Sequence, residues 1–212
     1  MIFYDYWRSS SAWRVRLALH IKGIAFERRP VNLLTGENHG PAFRAINPMG
    51  QVPVLVIDDG APRVLTESQA IIGYLEQLHP TPALFPSEPW KAARARQLAE
   101  TIVSGIQPYQ NVAFQLLIGK SGVPDPRVVS RQLIHRGLAA LEAAARETAG
   151  TFLIGGAPTI ADICLIPQLY GSRRLQVDLG AYPTLLRVEE ACAGLPAFRA
   201  AHAETQSDAP KP

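Results

Sequence analysis

The spacing of apolar residues changes once along the chain, near residue 80, and the change divides it into two halves of different construction. In the first half, short apolar runs alternate with helical stripes. Ile2-Phe3-Tyr4 opens a strand that reaches Tyr6. Trp13, Leu17 and Ile21 then recur at every fourth position, with Val15, Ala18 and Leu19 widening the stripe, which predicts a helix over residues 11–22 that Gly23 ends. Residues 26–32 predict a second strand, followed by a polar loop over 35–40 and a short helix. Val52-Pro53-Val54-Leu55-Val56-Ile57 predicts a third strand, Asp58-Asp59-Gly60 a hairpin turn and residues 63–65 a fourth strand. Thr66-Glu67-Ser68-Gln69 has the capping-box pattern, opening a helix whose core face is Ile71, Ile72, Leu75 and Leu78. Pro53, at the start of its strand and after Asn47-Pro48-Met49-Gly50-Gln51, sits where an X–Pro bond can be cis without cost to strand pairing.

His79-Pro80-Thr81-Pro82 stops that last helix, and the prolines as far as Pro89 mark a linker. From there the pattern is helical almost throughout. Residues 88–119 are rich in Ala, Arg and Leu, with a bend expected at Gly105 and Pro108. A helix over 127–148 presents Ile134, Leu138 and Leu141 on one face, and Thr159 and Asp162 read as reciprocal caps of a third. Shorter helices are expected near 183–193 and 196–202, and the last ten residues, 203–212, are expected to be disordered. The pattern gives a small α/β domain over 1–80, a linker, and an all-helical domain over 88–204, with no internal repeat.

Composition narrows the function classes. With 47% hydrophobic and 18% charged residues, the 212-residue chain is a globular sequence rather than a disordered one. Its net charge of +3 is spread thinly, without the basic run that would track a nucleic acid, and suits small anionic substrates equally well. Cys164 and Cys192 lie in apolar surroundings and read as buried, inert thiols. Without a leading apolar segment or a run of membrane-spanning length, the chain is expected to be cytoplasmic, with no membrane partner. Gly119-Lys120-Ser121 looks like the end of a phosphate loop, but Phe114 holds the place of its first glycine. The five histidines lack metal-ligand spacing, so no metal is expected.

One segment carries chemistry. Tyr6-Trp7-Arg8-Ser9-Ser10-Ser11-Ala12-Trp13-Arg14-Val15-Arg16 joins the first strand to the first helix through three consecutive hydroxyls, with a cation just before them. Hydroxyls and free N–H groups at a helix start suit an anion, and a thiolate is one. An ordinary serine cap fits the same residues.

This turn is close to the Ser-Ser-Cys-x-Trp-Arg-Val-Arg signature of the zeta-class glutathione transferases, the class that includes maleylacetoacetate isomerase. The chain resembles the family at five further places in the same order: 45–53, 68–72, 105–108, 159–162 and 177–183. The resemblance covers residues 2 to about 200. It implies a thioredoxin-like domain with a mixed four-stranded sheet, followed by an all-helical domain, and glutathione as cofactor. Ser9 matches the residue that donates a hydrogen bond to the glutathione sulfur, with Ser10 and Ser11 next in line; which of the three holds the sulfur stays open. Ser11 stands where the family usually has cysteine, and Glu67 where it usually has glutamine. The resemblance gives Val52, ahead of a cis-Pro53, backbone contacts with the cysteinyl part, and gives Glu67 and Ser68 the γ-glutamyl end. Asn38 and His39 fall to the glycyl end, Gln107 and Asn111 come from the helical domain, and Trp13, Arg14 and Gln51 belong to the same binding set.

For the substrate, Arg8 and Arg174 match the family's cleft, and two guanidinium forks suit the two carboxylates of a dicarboxylic keto acid. Some maleylpyruvate-acting relatives carry arginines where this chain has Val112 and Ala113, which leans toward maleylacetoacetate. The resemblance thus implies a homodimeric cis–trans isomerase in aromatic catabolism. The alternatives are a transferase that conjugates or dehalogenates small electrophiles such as 2-halo acids, and a binding protein that kept the fold.

Overall fold

The computed structural model describes residues 1–58 and 60–211, the side chain of residue 58 excepted, so the expected hairpin turn at Asp58-Asp59-Gly60 lies partly outside the described residues. The chain forms two compact units, one of Met1–Ala83 together with the segment from Leu195 onward, the other Leu84–Gly194.

In the first unit, strand β1 (Ile2–Asp5) leads through helix α1 (Ser10–Ile21) to strand β2 (Glu27–Pro30), which lies parallel to β1. A parallel neighbour needs a crossover of this kind, and α1 supplies it. Helix α2 (Pro41–Ile46) follows, then β3 (Val54–Asp58) antiparallel to β1 and β4 (Pro62–Thr66) antiparallel to β3, in the order β2-β1-β3-β4. This is the expected mixed four-stranded sheet. Helix α3 (Ser68–Leu78) packs beside α1, and Phe3, Val54, Leu55, Leu17, Leu19, Ile71, Ile72 and Leu75 are fully buried among these elements. β2 lies at a sheet edge, and its sequence Glu-Arg-Arg-Pro is the charged, proline-ended kind that discourages pairing with another chain.

Two expectations need correction here. The capping box at residues 66–69 does not form: α3 starts one residue late for it, Glu67 caps with φ 65° and no side-chain bond, and Ser68 turns its hydroxyl to Arg14. The N-cap falls on Glu67 rather than Thr66, so Gln69 stands second in the helix instead of third and the reciprocal pair cannot close. The described C-terminal residues, 203–211, are ordered rather than disordered. Helix α9 (Pro196–Ala200) packs on α1, Arg16 Nε donates to the Ala201 carbonyl at 2.9 Å, and Asp208 accepts from Arg28 Nη2 at 2.6 Å. By packing, the segment from Leu195 onward belongs with the first unit.

The second unit contains α4 (Pro89–Gly105), a 3-10 turn Gln107–Gln110, α5 (Val112–Lys120), α6 (Pro126–Thr148), α7 (Ile160–Arg174) and α8 (Pro183–Ala193). The break between α4 and α5 falls at Gly105 and Pro108, where the bend was expected. α7 is the central helix: it packs on α4 and α8, and Ile160, Ile163, Cys164, Leu165 and Leu169 are all buried. Its capping box forms as the sequence predicts. Asp162 accepts from the Thr159 N–H at 2.7 Å, the Thr159 hydroxyl at 3.0 Å and the Leu153 N–H at 2.8 Å. Among the described residues no helix is long and apolar enough to cross a membrane.

Candidate active site

Ser9 is the N-cap of α1, with φ −64° and ψ 116°, and its Oγ accepts the Ala12 N–H at 3.3 Å. Its own N–H donates to the Tyr6 carbonyl at 2.9 Å, which closes the turn leading out of β1. Ser10 and Ser11 begin the helix. Ser11 Oγ accepts from Arg14 Nη2 at 2.7 Å, and the same guanidinium donates from Nε to Ser68 Oγ at 3.1 Å. Arg14 is 2% exposed. One buried cation thus bridges the starts of α1 and α3, and neither helix has an acidic residue in its first turn. Glu67, beside Ser68, is exposed. Trp13 faces the core: it is 1% exposed, with its ring edge-on to His202 at 5.0 Å.

Val52 and Pro53 are buried and joined by a cis peptide bond, just ahead of the β3 ladder that starts at Val54. Gln51 is exposed, and its carbonyl accepts from Asn47 Nδ2 at 2.7 Å. Asn38 is 7% exposed. Its Nδ2 donates to the Gly50 carbonyl at 2.7 Å, which fixes the amide's orientation, and its buried Oδ1 has no donor in the protein. His39, next to it, is exposed. Gly50 has φ +63°, and a Cβ there would come within 2.8 Å of the Asn38 carbonyl oxygen. Gly50→Ala is therefore expected to lower stability by about 2 kcal/mol, read by denaturant unfolding.

The half-buried Arg8 places its guanidinium 5.7 Å from the Tyr6 ring and 5.6 Å from the Trp7 ring. It lines a pocket of about 230 Å³ together with Tyr6, Trp7, Asn32, Leu34 and Asp208. The first unit thus holds Ser9 to Ser11, Arg8, Trp13, Arg14, Glu67 and Ser68, together with Asn38, His39, Gln51, Val52 and Pro53. The other three predicted residues belong to the second unit. There Gln107 Nε2 donates to Asn111 Oδ1 at 2.9 Å, and Arg174 is the exposed last residue of α7.

Sequence reasoning missed an ion-pair network behind this turn. Asp5, wholly buried on β1, pairs with Arg16 Nη1 at 2.5 Å and with Arg28 Nη2 at 2.5 Å. Burial pulls the Arg16 guanidinium below its usual value against the opposing pull of Asp5. The signal was available in part: Arg16 interrupts the apolar stripe between Val15 and Leu17.

Two family models match: Glutathione S-transferase, N-terminal domain, over residues 8–78, and Glutathione S-transferase, C-terminal domain, over residues 88–204. The chain belongs to the glutathione S-transferase family. The first match takes in the serine turn of this transferase, and the second runs past the helical unit to residue 204. Maleylacetoacetate isomerase of Pseudomonas aeruginosa is 41% identical over 99% of this chain and 99% of its own length. The crystal structure of maleylacetoacetate isomerase from Anaeromyxobacter dehalogenans, with glutathione bound in its active site, superposes with a TM-score of 0.91 at 53% identity, covering 99% of this chain and 97% of that one. The same enzyme has been crystallised with dicarboxyethyl glutathione and citrate in its active site. A bacterial zeta-class maleylpyruvate isomerase superposes with a TM-score of 0.93 at 38% identity, over 99% of this chain and 100% of that one.

Proposed function

We propose that this transferase is a cytoplasmic homodimer that catalyses the glutathione-dependent cis–trans isomerisation of a maleyl-keto acid, maleylacetoacetate or maleylpyruvate. Residues 1–80 serve as its glutathione-binding domain and 88–204 as its substrate domain. One observation carries most of the weight: Ser11 and Ser68 each accept a hydrogen bond from the buried Arg14. A hydroxyl that accepts from a guanidinium keeps its own hydrogen to give, and the cation strengthens that donor. Two such hydroxyls at two helix N-termini suit a ligand with anionic groups.

Glutathione fits the set. Ser68 serves its γ-glutamyl carboxylate and Glu67 its ammonium, Val52 and Gln51 its cysteinyl backbone, and Asn38 and His39 its glycyl end. The orphaned Asn38 Oδ1 is an acceptor suited to a ligand N–H. Gln107 and Asn111, in the helical unit, are further glutathione contacts that the family resemblance implies. Bound there, glutathione supplies a thiolate whose reversible addition frees the cis double bond to rotate, and it is not consumed. The protein's own part is to keep the thiol ionised, through the Ser9 hydroxyl and the α1 N-terminus with Ser10 and Ser11 beside it, and to hold the two carboxylates with Arg8 and Arg174. The maleylacetoacetate and maleylpyruvate isomerases among its relatives support this reading, as do the glutathione, dicarboxyethyl glutathione and citrate bound in one of them.

Purified protein given either maleyl acid and catalytic glutathione is expected to form the trans acid while total glutathione stays constant. Conjugation of halo acids without isomerisation would make it a conjugating transferase instead. Failure to bind glutathione at millimolar concentration would leave a binding protein. Arg174→Ala is expected to raise KM for the diacid by about 10- to 100-fold, the value of a charged hydrogen bond, with conjugation of neutral electrophiles nearly unchanged. Normal diacid kinetics in that variant would remove Arg174 from the site.

A further inference from the structure

The residues just before the serine turn are gripped from both sides. The Trp7 N–H donates to Asp208 Oδ2 at 3.1 Å, and the Trp7 carbonyl accepts from Arg16 Nη2 at 2.9 Å. The two gripping side chains belong to one circuit. Arg16 pairs with Asp5, Asp5 with Arg28, and Arg28 with Asp208 at 2.6 Å, which returns to Trp7. Both backbone polar groups of one residue are thus fixed by a closed ring of two cations and two carboxylates. Trp7 lies inside the turn that Ser9 closes by donating to the Tyr6 carbonyl. Three members of the ring come from β1, α1 and β2; Asp208 comes from the C-terminal segment beyond α9.

We propose that Asp208 is a positioning residue for the isomerase reaction, holding the Trp7-Arg8-Ser9 turn in register through the Trp7 N–H and Arg28. The inference rests on the proposed function. Its physical basis is that a polarising hydroxyl acts over hydrogen-bond distances, so displacement of the turn by a fraction of an ångström weakens it steeply. The ring's two positive and two negative charges cancel, so in the intact protein it leaves the field at the α1 N-terminus nearly untouched. That cancellation gives the test its sign. Removing the Asp208 charge leaves the ring with an excess positive charge, and field alone would then lower the pKa of a thiol bound at Ser9. Loss of position does the reverse, because the thiolate loses its donor.

The experiment compares Asp208→Ala with the wild-type chain and with Ser207→Ala, which removes only the exposed Ser207 contact to Arg28 at 3.2 Å. Three quantities are read: amide exchange at Trp7, the pKa of bound glutathione by ultraviolet thiolate absorbance, and kcat against KM for glutathione. Asp208→Ala is expected to speed Trp7 exchange, raise the bound-thiol pKa and lower kcat by about tenfold, with KM for glutathione moving by less than about threefold. Ser207→Ala is expected to match wild type in all three. Asp208→Asn, which keeps the size and one acceptor oxygen, serves if the alanine variant does not fold, and is expected to shift each quantity the same way by less. Unchanged kcat, or a bound-thiol pKa that falls, would overturn the proposal even if exchange quickens, because Asp208 would then be merely structural. If wild-type protein binds glutathione but isomerises nothing, the proposed reaction fails and the thiol titration alone decides for or against Asp208. If it binds none, both readings fall.

Discussion

Ser9→Ala is expected to lower kcat for isomerisation by about 100- to 1,000-fold, the usual cost of removing one preorganised donor from a developing or resident anion. KM for glutathione should stay within a few-fold, because Ser68, Val52 and Asn38 lie outside α1 and keep their own surroundings. The substitution also removes a helix cap, since Ser9 Oγ accepts the Ala12 N–H. That loss costs about 1 kcal/mol of stability, too little to unfold a domain of this size. The effect on activity therefore separates from the effect on folding. Without the hydroxyl, the bound thiol should titrate nearer its ordinary value of about 8.5. Steady-state kinetics on both maleyl acids, with a thiolate titration of the glutathione complex, would check this. Ser10→Ala and Ser11→Ala should cost less. If Ser11→Ala gave the larger loss, the sulfur would sit against the hydroxyl that Arg14 supports, and Ser9 would be only a cap.

Asp162→Ala should be the most damaging single substitution in the helical unit, at about 3–5 kcal/mol. Asp162 is fully buried, and its carboxylate is the common acceptor for the Thr159 N–H, the Thr159 hydroxyl and the Leu153 N–H. Alanine leaves all three donors inside the protein, each costing about 1–3 kcal/mol when unpaired, with some relief as the segment relaxes. It also removes half of the capping box of α7, the helix on which α4 and α8 pack. Against a typical total of about 5–15 kcal/mol, much of the protein's stability would be lost. Denaturant unfolding gives the value directly. Asp162→Asn keeps one acceptor oxygen and should cost roughly half as much. A drop below about 1 kcal/mol for the alanine variant would mean that water or a rearranged loop replaces the carboxylate.

These two residues also mark what the sequence could reveal. Both are local devices: a serine after an apolar strand, and a Thr-x-x-Asp before an apolar helix. Their partners are Ala12 and Thr159, a few positions away, so pattern alone located them. The change of apolar period near residue 80 exposed the α/β half and the helical half for the same reason. Readings failed for two different reasons. The box at Thr66 looked as sound as the one at Thr159, yet the helix caps one residue later, at Glu67 with φ 65°, a shift the pattern does not encode. The tail's Gln-Ser-Asp-Ala-Pro composition is that of a disordered segment, but Arg28, 180 positions away, orders it. Arg14 itself counted as a ligand contact because it sits in the signature. In the fold it is buried and donates to the Ser11 and Ser68 hydroxyls, a pairing the signature does not reveal.

The replacement of the family's cysteine by Ser11 has a consequence for the protein's resistance to chemical attack. Its two remaining cysteines are sealed in, Cys164 at 1% and Cys192 at 0% exposure, and burial drives the Cys192 thiol far above its usual range. Peroxide and alkylating agents attack thiolates that solvent can reach, and the folded chain offers them none at either position. The reactive sulfur of the working enzyme is therefore one it borrows, replaced from the surrounding pool whenever it is spoiled.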